Sequence, residues 1–538
     1  MGMAAIALGM AAFLALSCYQ LHLPGLHYDE AKEAGLPALQ LLYGLPVEAF
    51  RGAGIHLGGQ FIPLMVVDYI GATGVILVLP FLAIGGVNVI ALRAFPIALS
   101  VLALILLYVL ARELYNQRVA LIAFLLLCLN PSFIFWSRQG IFVTSAIIPV
   151  SLGAALCLVR WYRQGKRQHL WLGMFLLGLG LYTKFIFLWI VLAFGCVFVL
   201  FAEKQILLAI AGKQPSSHFR IGVGEVVGSI LALAAGLLPL LLYNLQTGGT
   251  FGVIGQNLTT SYYGTNNLAF LQNLGTRLGQ IQAVLSGSHL WYLGGVFENP
   301  VWPYAVIVAL VVTVITLIFR AKDQARHAAI PWIIWGVVLL ASCFTVSALW
   351  PTHYALLTPW PPLALAVGID LVWRYWHSPR WLGWLALALV AVVAMLDVRV
   401  DLAYHRALAA TGGLGGHSSA IYDLAESLDE LGLSAPVAMD WGIAAQTEFL
   451  TQGRIRPIEI FGYDWNPDEG FGQRLRTFAG NPDSIYVFHA PAETVFPRKD
   501  AFDALLQEEG KTSFTERVYT QLNGKPIFTL VRIRDRAD

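Results

Sequence analysis

The sequence predicts a polytopic α-helical membrane protein of about eleven transmembrane helices, followed by a C-terminal extracytoplasmic α/β domain. Composition is the first observation behind this. Of 538 residues, 57% are hydrophobic and 12% charged, whereas a soluble domain carries about twice that charged share. The second is where the charge sits: residues 1–397 hold 12 of the 32 Asp and Glu, and residues 398–538 hold the other 20. The chain therefore divides into a membrane part, 1–397, and a water-soluble part, 398–538. A net charge of +2 provides no electrostatic footprint for nucleic acid.

A helix needs roughly 20 mostly apolar residues to cross a bilayer. Candidates lie near 3–21, 89–110, 118–136, 141–159, 169–182, 185–202, 223–243, 302–319, 330–349, 355–373 and 381–397. The first run, Met3–Tyr19, lacks a basic start and a small-residue cleavage site, so it reads as a retained helix. The stretch 74–87 is apolar but rich in Gly and Pro, and reads as interfacial or re-entrant. The five cysteines (Cys18, Cys128, Cys157, Cys196 and Cys343) all fall in apolar stretches and suggest neither disulfides nor a thiolate metal site.

Orientation follows from the basic residues of short loops. Arg112, Arg118, Arg160, Arg163, Lys166, Arg167, Lys204, Lys213, Arg220, Arg320, Lys322, Arg326, Arg374 and Arg380 fall on one side; the short opposite turns hold Arg138 and Lys184. The loaded side is expected to be cytoplasmic. The long connections 22–88 and 244–301 and the soluble part then lie outside. In that part Ser418–Glu430 is amphipathic, and Pro436–Asp440, Ile458–Phe461, Ser484–Phe488 and Ile527–Ile533 are strand-like. Helical patterns at Phe471–Phe478 and Ala501–Glu509 alternate with them, which makes a small α/β domain. Gly412–Gly416 reads as a hinge.

The first outer loop concentrates acids beside a membrane: Asp29, Glu30, Glu33, Glu48 and Asp68. Sugar transfer to a hydroxyl needs a base at the acceptor oxygen and a way to stabilise the leaving phosphate. A carboxylate fixed on an interfacial helix supplies the first. The plain alternative is that Asp29 N-caps a helix over Glu30–Tyr43, with Glu30 and Glu33 favouring its positive end.

His27-Tyr28-Asp29-Glu30-Ala31, just after a first transmembrane helix, resembles the first-loop Asp-Glu signature of GT-C glycosyltransferases. The closest branch is that of protein O-mannosyltransferases and lipid A aminoarabinose transferases. Arg93-Ala94-Phe95-Pro96, Ala111-Arg112-Glu113-Leu114-Tyr115, Asn130-Pro131, Trp136-Ser137-Arg138 and Gly178-Leu179-Gly180-Leu181-Tyr182-Thr183-Lys184 resemble its recurring stretches, in order. His353-Tyr354, followed by Leu356, Leu357 and Pro359, resembles a later outer turn. The chain departs from many relatives after Arg138, where Gln139-Gly140-Ile141-Phe142-Val143-Thr144 contains no acid. A second carboxylate then has to come from elsewhere, with Glu30 and Asp68 as candidates.

The resemblance implies a GT-C membrane fold, a polyprenyl-phosphate sugar donor and inversion by direct displacement. It casts Asp29 as general base, with Glu30 orienting Asp29 or the sugar. Arg138, Lys184 and His353, at outer helix ends, are candidates for the donor phosphate. Against this, Arg138 also suits snorkelling to headgroups, His353 an ordinary interfacial position, and Asp68 a cap or a pair with Arg51 or Arg93. Tyr262, Tyr263 and His289, in the second outer loop with Asn266, Asn267, Trp291 and Tyr292, suit a sugar pocket but equally any membrane interface.

No phosphate-loop pattern and no His-Glu-x-x-His occurs, so no soluble cofactor is expected; a divalent metal is left open. Expected partners are the lipid donor, membrane lipids and a glycan, lipid or protein acceptor, at an inner (plasma) membrane with the active face outward. The rival readings are a lipid-linked-sugar flippase or transporter, an inactive family member, and an anchor for an outer binding domain. Few mid-span acids count against transport.

Overall fold

The computed structural model describes residues 2–139, 142–210, 222–319, 326–345, 349–376, 381–481 and 483–535. Of the basic loop residues, Lys213, Arg220, Arg320, Lys322 and Arg380 lie outside them, as do Gly140 and Ile141.

Every one of the expected apolar spans meets a helix, but they differ in length. Among the described residues six helices are long and apolar enough to cross a membrane: Val89–Leu114, Thr144–Gln164, Phe185–Glu203, Val223–Thr247, Val301–Phe319 and Trp381–Thr411. Two expected spans are bent pairs. Gln117–Cys128 and Pro131–Arg138 meet at 59°, and Pro351–Leu357 and Trp360–Tyr375 meet at 45°. At the first break Asn130 accepts from Phe133 N and Pro131 takes the first helical position; proline has no N–H to continue the preceding helix.

Gly2–Cys18 and Ile330–Ala341 are shorter than anticipated, and Arg167–Thr183 extends slightly beyond the expected 169–182 at both ends. The last helix is longer, running to Thr411 rather than 397. The stretch read as interfacial or re-entrant is a helix, Thr73–Gly85.

Helices Arg167–Thr183 and Val223–Thr247 cross closely. A Cβ on Gly236 would stand 2.3 Å from Phe175 O, and one on Gly178 2.3 Å from Leu233 O; small residues let membrane helices approach in this way. At one end of the bundle acids meet the basic loop residues: Asp370 with Arg118 and Arg374, Glu113 with Arg160, Glu225 with Arg167, and Glu203 with Arg326. These acids serve paired ends of helices rather than a pathway.

The first outer loop holds two small hairpins that the sequence reading left as loop: β1 Gly54–Leu57 with β2 Gln60–Pro63, and β3 Met65–Val67 with β4 Ile70–Gly71. The second holds a helix, Phe270–Ser286, also unanticipated. The soluble part is a five-stranded sheet of β5 Val437–Ala438, β6 Ile458–Glu459, β7 Ile485–His489, β8 Lys511–Thr520 and β9 Pro526–Asp535, ordered β6-β5-β7-β9-β8. β5 runs parallel to β6 and β7, and β9 antiparallel to β7 and β8. β8 was missed because its polar residues expose most of the strand, leaving little apolar alternation to find.

One apolar core joins this domain to the first outer loop. Leu26, Ala31, Ala34 and Leu39 pack with Ile421, Leu424, Ile443, Phe449 and Leu530, all buried. The contact is tight enough that a Cβ on Gly25 would overlap Ser418 O at 2.0 Å.

Candidate active site

The loop carrying the acids is a helix whose start is built by His27. The His27 ring accepts from Asp29 N at 3.3 Å, and the Glu30 carboxylate accepts from His27 N at 3.2 Å, a reciprocal cap. Asp29 is therefore not the N-cap, and its carboxylate is left 55% exposed, with His27 Nδ1 3.7 Å away.

The helix then widens to a π-turn over Ala31–Gly35, where Leu36 N donates to Ala31 O. Pro37 is the local reason: it has no N–H to give Glu33 O in the α register. Such turns are frequent at functional sites.

Glu30 is not free to orient a substrate. It is buried and held by Arg93 through Nε and Nη2, both at 2.8 Å, while Arg93 also donates to the carbonyls of Leu21, Pro24 and Gly25. Arg138 is equally committed. Fully buried, it donates to Gln20 O at 2.6 Å and Leu23 O at 3.2 Å and meets His405 Nδ1 at 3.3 Å. Its Nε has no partner among the described residues. Both arginines tie down the chain that enters the Asp29 helix.

Asp68 takes the bland alternative too. It accepts from Arg51 and from Tyr243, the latter at 2.6 Å. This anchors the β3–β4 hairpin, which in turn holds Lys184: Ile70 bridges to Lys184, and Phe185 N donates to Tyr69 O at 3.0 Å. Tyr182 OH adds bonds to Leu64 O and Ala72 N.

Lys184 is buried, with its ammonium donating to Thr144 Oγ1 at 3.1 Å. Glu33 and Asp29 are near enough for their charges to act on it, and His353 lies near enough to feel its charge. Burial, reinforced by the Asp29 charge, pushes the Glu33 carboxyl up to about 8 against the opposing pull of Lys184.

The cluster is thus Asp29, Glu33, Lys184 and His353, with Tyr263 within electrostatic reach of Asp29. Glu33 is a further carboxylate within electrostatic reach of Asp29 and Lys184, where the sequence reading looked to Glu30 and Asp68. The signal available was its spacing, one helical turn beyond Asp29.

Tyr262 packs edge-on against Tyr263 and is largely exposed. His289 sits elsewhere, against Trp136 at 4.5 Å and Ala283 O. Among the described residues no group of three or more His, Cys, Asp or Glu is placed to hold a metal ion. An apolar cavity of about 520 Å³ lies toward the other end of the bundle, lined by Arg163, Glu225 and His327 among apolar groups, away from this chemistry.

The model of a family described as dolichyl-phosphate-mannose-protein mannosyltransferase matches residues 76–212, less than half of the chain. That segment contains Arg93, Arg138 and Lys184 but not Asp29. No curated protein matches the sequence. Among solved structures, ArnT from Cupriavidus metallidurans bound to undecaprenyl phosphate superimposes with a TM-score of 0.61 at 12% identity, covering 98% of this chain and 97% of that one. This chain has the GT-C glycosyltransferase fold. ArnT in the apo state gives the same values. The archaeal oligosaccharyltransferase AglB from Archaeoglobus fulgidus, in complex with an inhibitory peptide and a dolichol-phosphate, gives 0.52 at 14% identity. It covers 91% of this chain and 69% of its own. A GT-C match along nearly the whole chain, rather than over 76–212 alone, brings the first outer loop and the soluble part within the shared architecture.

Proposed function

We propose that this protein transfers a sugar from a polyprenyl-phosphate donor to an acceptor hydroxyl, with inversion and with Asp29 as general base. The observation that carries the reading is an exposed carboxylate, released from any capping duty, within electrostatic reach of the buried ammonium of Lys184. Asp29 takes the acceptor proton as the acceptor oxygen attacks the anomeric carbon. The bond from that carbon to the phosphate oxygen breaks, and polyprenyl phosphate leaves with the bonding pair. Lys184 meets the charge that develops on it, assisted by His353. Glu33, protonated below about 8, adds no negative charge where the phosphate must sit. The neighbour's undecaprenyl phosphate supports a lipid phosphate as the leaving group.

The membrane is proposed to be the inner (plasma) membrane, with the cluster and the soluble part extracytoplasmic. The basic loop residues paired at the opposite end of the bundle support this orientation. One observation favours the transporter reading. The last helix carries Asp397 and Asp401, both fully buried, and no hydrogen-bond partner for the Asp401 carboxylate occurs among the described residues; intramembrane acids commonly mark pathways.

The test is release of polyprenyl phosphate by the purified protein from a panel of polyprenyl-phosphate sugars, comparing wild type with Asp29→Asn. A fall of about two orders of magnitude or more in the folded variant supports the base. Equal turnover removes Asp29 from the chemistry. Donor translocation across vesicles without turnover would establish the transporter instead.

A further inference from the structure

The soluble domain gathers aromatic side chains at one place without burying them. β5, β6 and β7 run parallel, and the loops after their carboxyl ends carry Trp441, Tyr463 with Trp465, and Phe496. In open α/β sheets this edge is where ligands bind. Trp465 is 71% exposed and Tyr463 55%, although Trp465 packs on Phe496 at 5.6 Å and Tyr463 on Phe461 at 5.0 Å.

Two buried charges fix these loops. Arg498, 1% exposed, directs its guanidinium at the carbonyls of Phe461, Gly462, Asp464, Trp465 and Asn466, so the whole turn wraps around it. Asp440, also 1% exposed, accepts from Trp441 N, Val495 N and Phe496 N and meets His489 Nδ1 at 3.0 Å. Burying a charge is costly unless it is fully hydrogen-bonded. Here both are satisfied by the loops that display the rings. A rigid loop with exposed rings is a preformed platform, since no ordering remains to oppose binding.

The platform touches the active-site helix. Tyr28, next to Asp29, packs on Trp441 at 4.5 Å and lies near Tyr463, whose hydroxyl donates to Glu459 at 2.7 Å. We propose that this edge is the acceptor subsite and that its ligand is a neutral glycan chain, its terminal hydroxyl delivered to Asp29. Sugar rings present apolar C–H faces that lie on Trp465 and Tyr463, and hydroxyls that the Glu459 carboxylate accepts from. An anionic lipid surface is disfavoured here: Glu48 lies within electrostatic reach of both Glu448 and Glu459, and with Lys32 paired to Glu48 and Arg456 to Glu448 this side carries no excess of positive charge. The inference deepens the transferase reading and rests on it for the role of Asp29.

The test uses the full-length protein in phosphatidylcholine nanodiscs. Binding of mannotetraose, cellotetraose, arabinotetraose and galactotetraose is followed by saturation-transfer NMR, and undecaprenyl phosphate binding is followed in parallel. At least one oligosaccharide is expected to bind wild type. Trp465→Ala should weaken it about tenfold, Trp465→Phe should restore part, and undecaprenyl phosphate affinity should stay within about twofold. Unchanged glycan binding in Trp465→Ala, or no binding of any oligosaccharide to wild type, overturns the subsite. Quenching of Trp465 by brominated lipids would make the loop a membrane anchor and overturn it as well. Glycan binding lost in Trp465→Ala, with no turnover from any donor, would sink the transferase reading and leave the glycan platform standing. Turnover without glycan binding would sink only the platform.

Discussion

Replacing Glu30 by glutamine keeps the shape of the side chain and removes its charge, which isolates what the Arg93 pair contributes. Arg93 and Glu30 are 0% and 1% exposed and meet through two contacts of 2.8 Å. Removing one partner of a buried pair strands the other charge and costs about 3–5 kcal/mol. Glu30→Gln still offers an oxygen to Arg93, so about 3 kcal/mol is expected. Arg93→Met also loses the bonds to Leu21 O, Pro24 O and Gly25 O, which at about 1 kcal/mol each carries it to the top of that range or beyond. The double variant carries no stranded charge and should be less destabilised than the sum of the singles by about 2 kcal/mol. The assay is denaturant unfolding of the purified protein followed by tryptophan fluorescence. A loss under about 1 kcal/mol for Glu30→Gln, or strict additivity in the double variant, would refute the view that this pair locks the loop.

Lys184→Ala should weaken undecaprenyl phosphate binding by about tenfold to a hundredfold, the worth of a charged hydrogen bond, with Lys184→Arg retaining part; equal calorimetric affinity would free Lys184 of that role. Glu33 has a folded pKa raised above its unfolded value, so its contribution to stability is full below about pH 4.5 and is lost as pH rises through about 8. Glu33→Gln should flatten unfolding midpoints measured across that window, and an unchanged slope would place the titration elsewhere. Gly236→Leu puts a side chain where a Cβ alone would be 2.3 Å from Phe175 O. It should cost about 1–3 kcal/mol or more, and a variant with wild-type thermal stability would mean that the two helices separate freely.

The bundle was legible because each span leaves a long apolar run; its bends were not anticipated, although Asn130-Pro131 and Pro359 are local signals for them. Asp29 and Lys184 were singled out from a short motif and from a lysine at an outer helix end, and the fold brings them within electrostatic reach of one another. Glu30, Arg138 and Asp68 all have protein partners that the sequence did not reveal, for one shared reason. A charged residue near a membrane looks functional in sequence, while its partner lies 17 to 118 positions away: Arg51 for Asp68, Arg93 for Glu30, Gln20 O for Arg138. No local pattern announces such a partner. Glu33 was overlooked because Lys184 comes within its electrostatic reach only in the folded protein, where the β3–β4 hairpin holds Lys184.

The same argument bears on the soluble domain. Segregation of charge distinguishes parts by their solvent, and says nothing of whether they pack on one another. Here they do: the helix that carries Asp29 and Glu33 buries its apolar side against Ile421, Leu424 and Phe449 of the soluble domain, and Tyr422 OH donates to His22 O at 2.6 Å. The Asp29 helix is short, begins on a three-residue turn and widens at once into a π-turn, so its own hydrogen bonds cannot fix it. Its position is set from two sides, by Arg93 beneath and by the soluble domain above. A domain that completes the core under the proposed base is therefore part of what positions it, and a change that loosens its docking should lower turnover even where it touches no substrate.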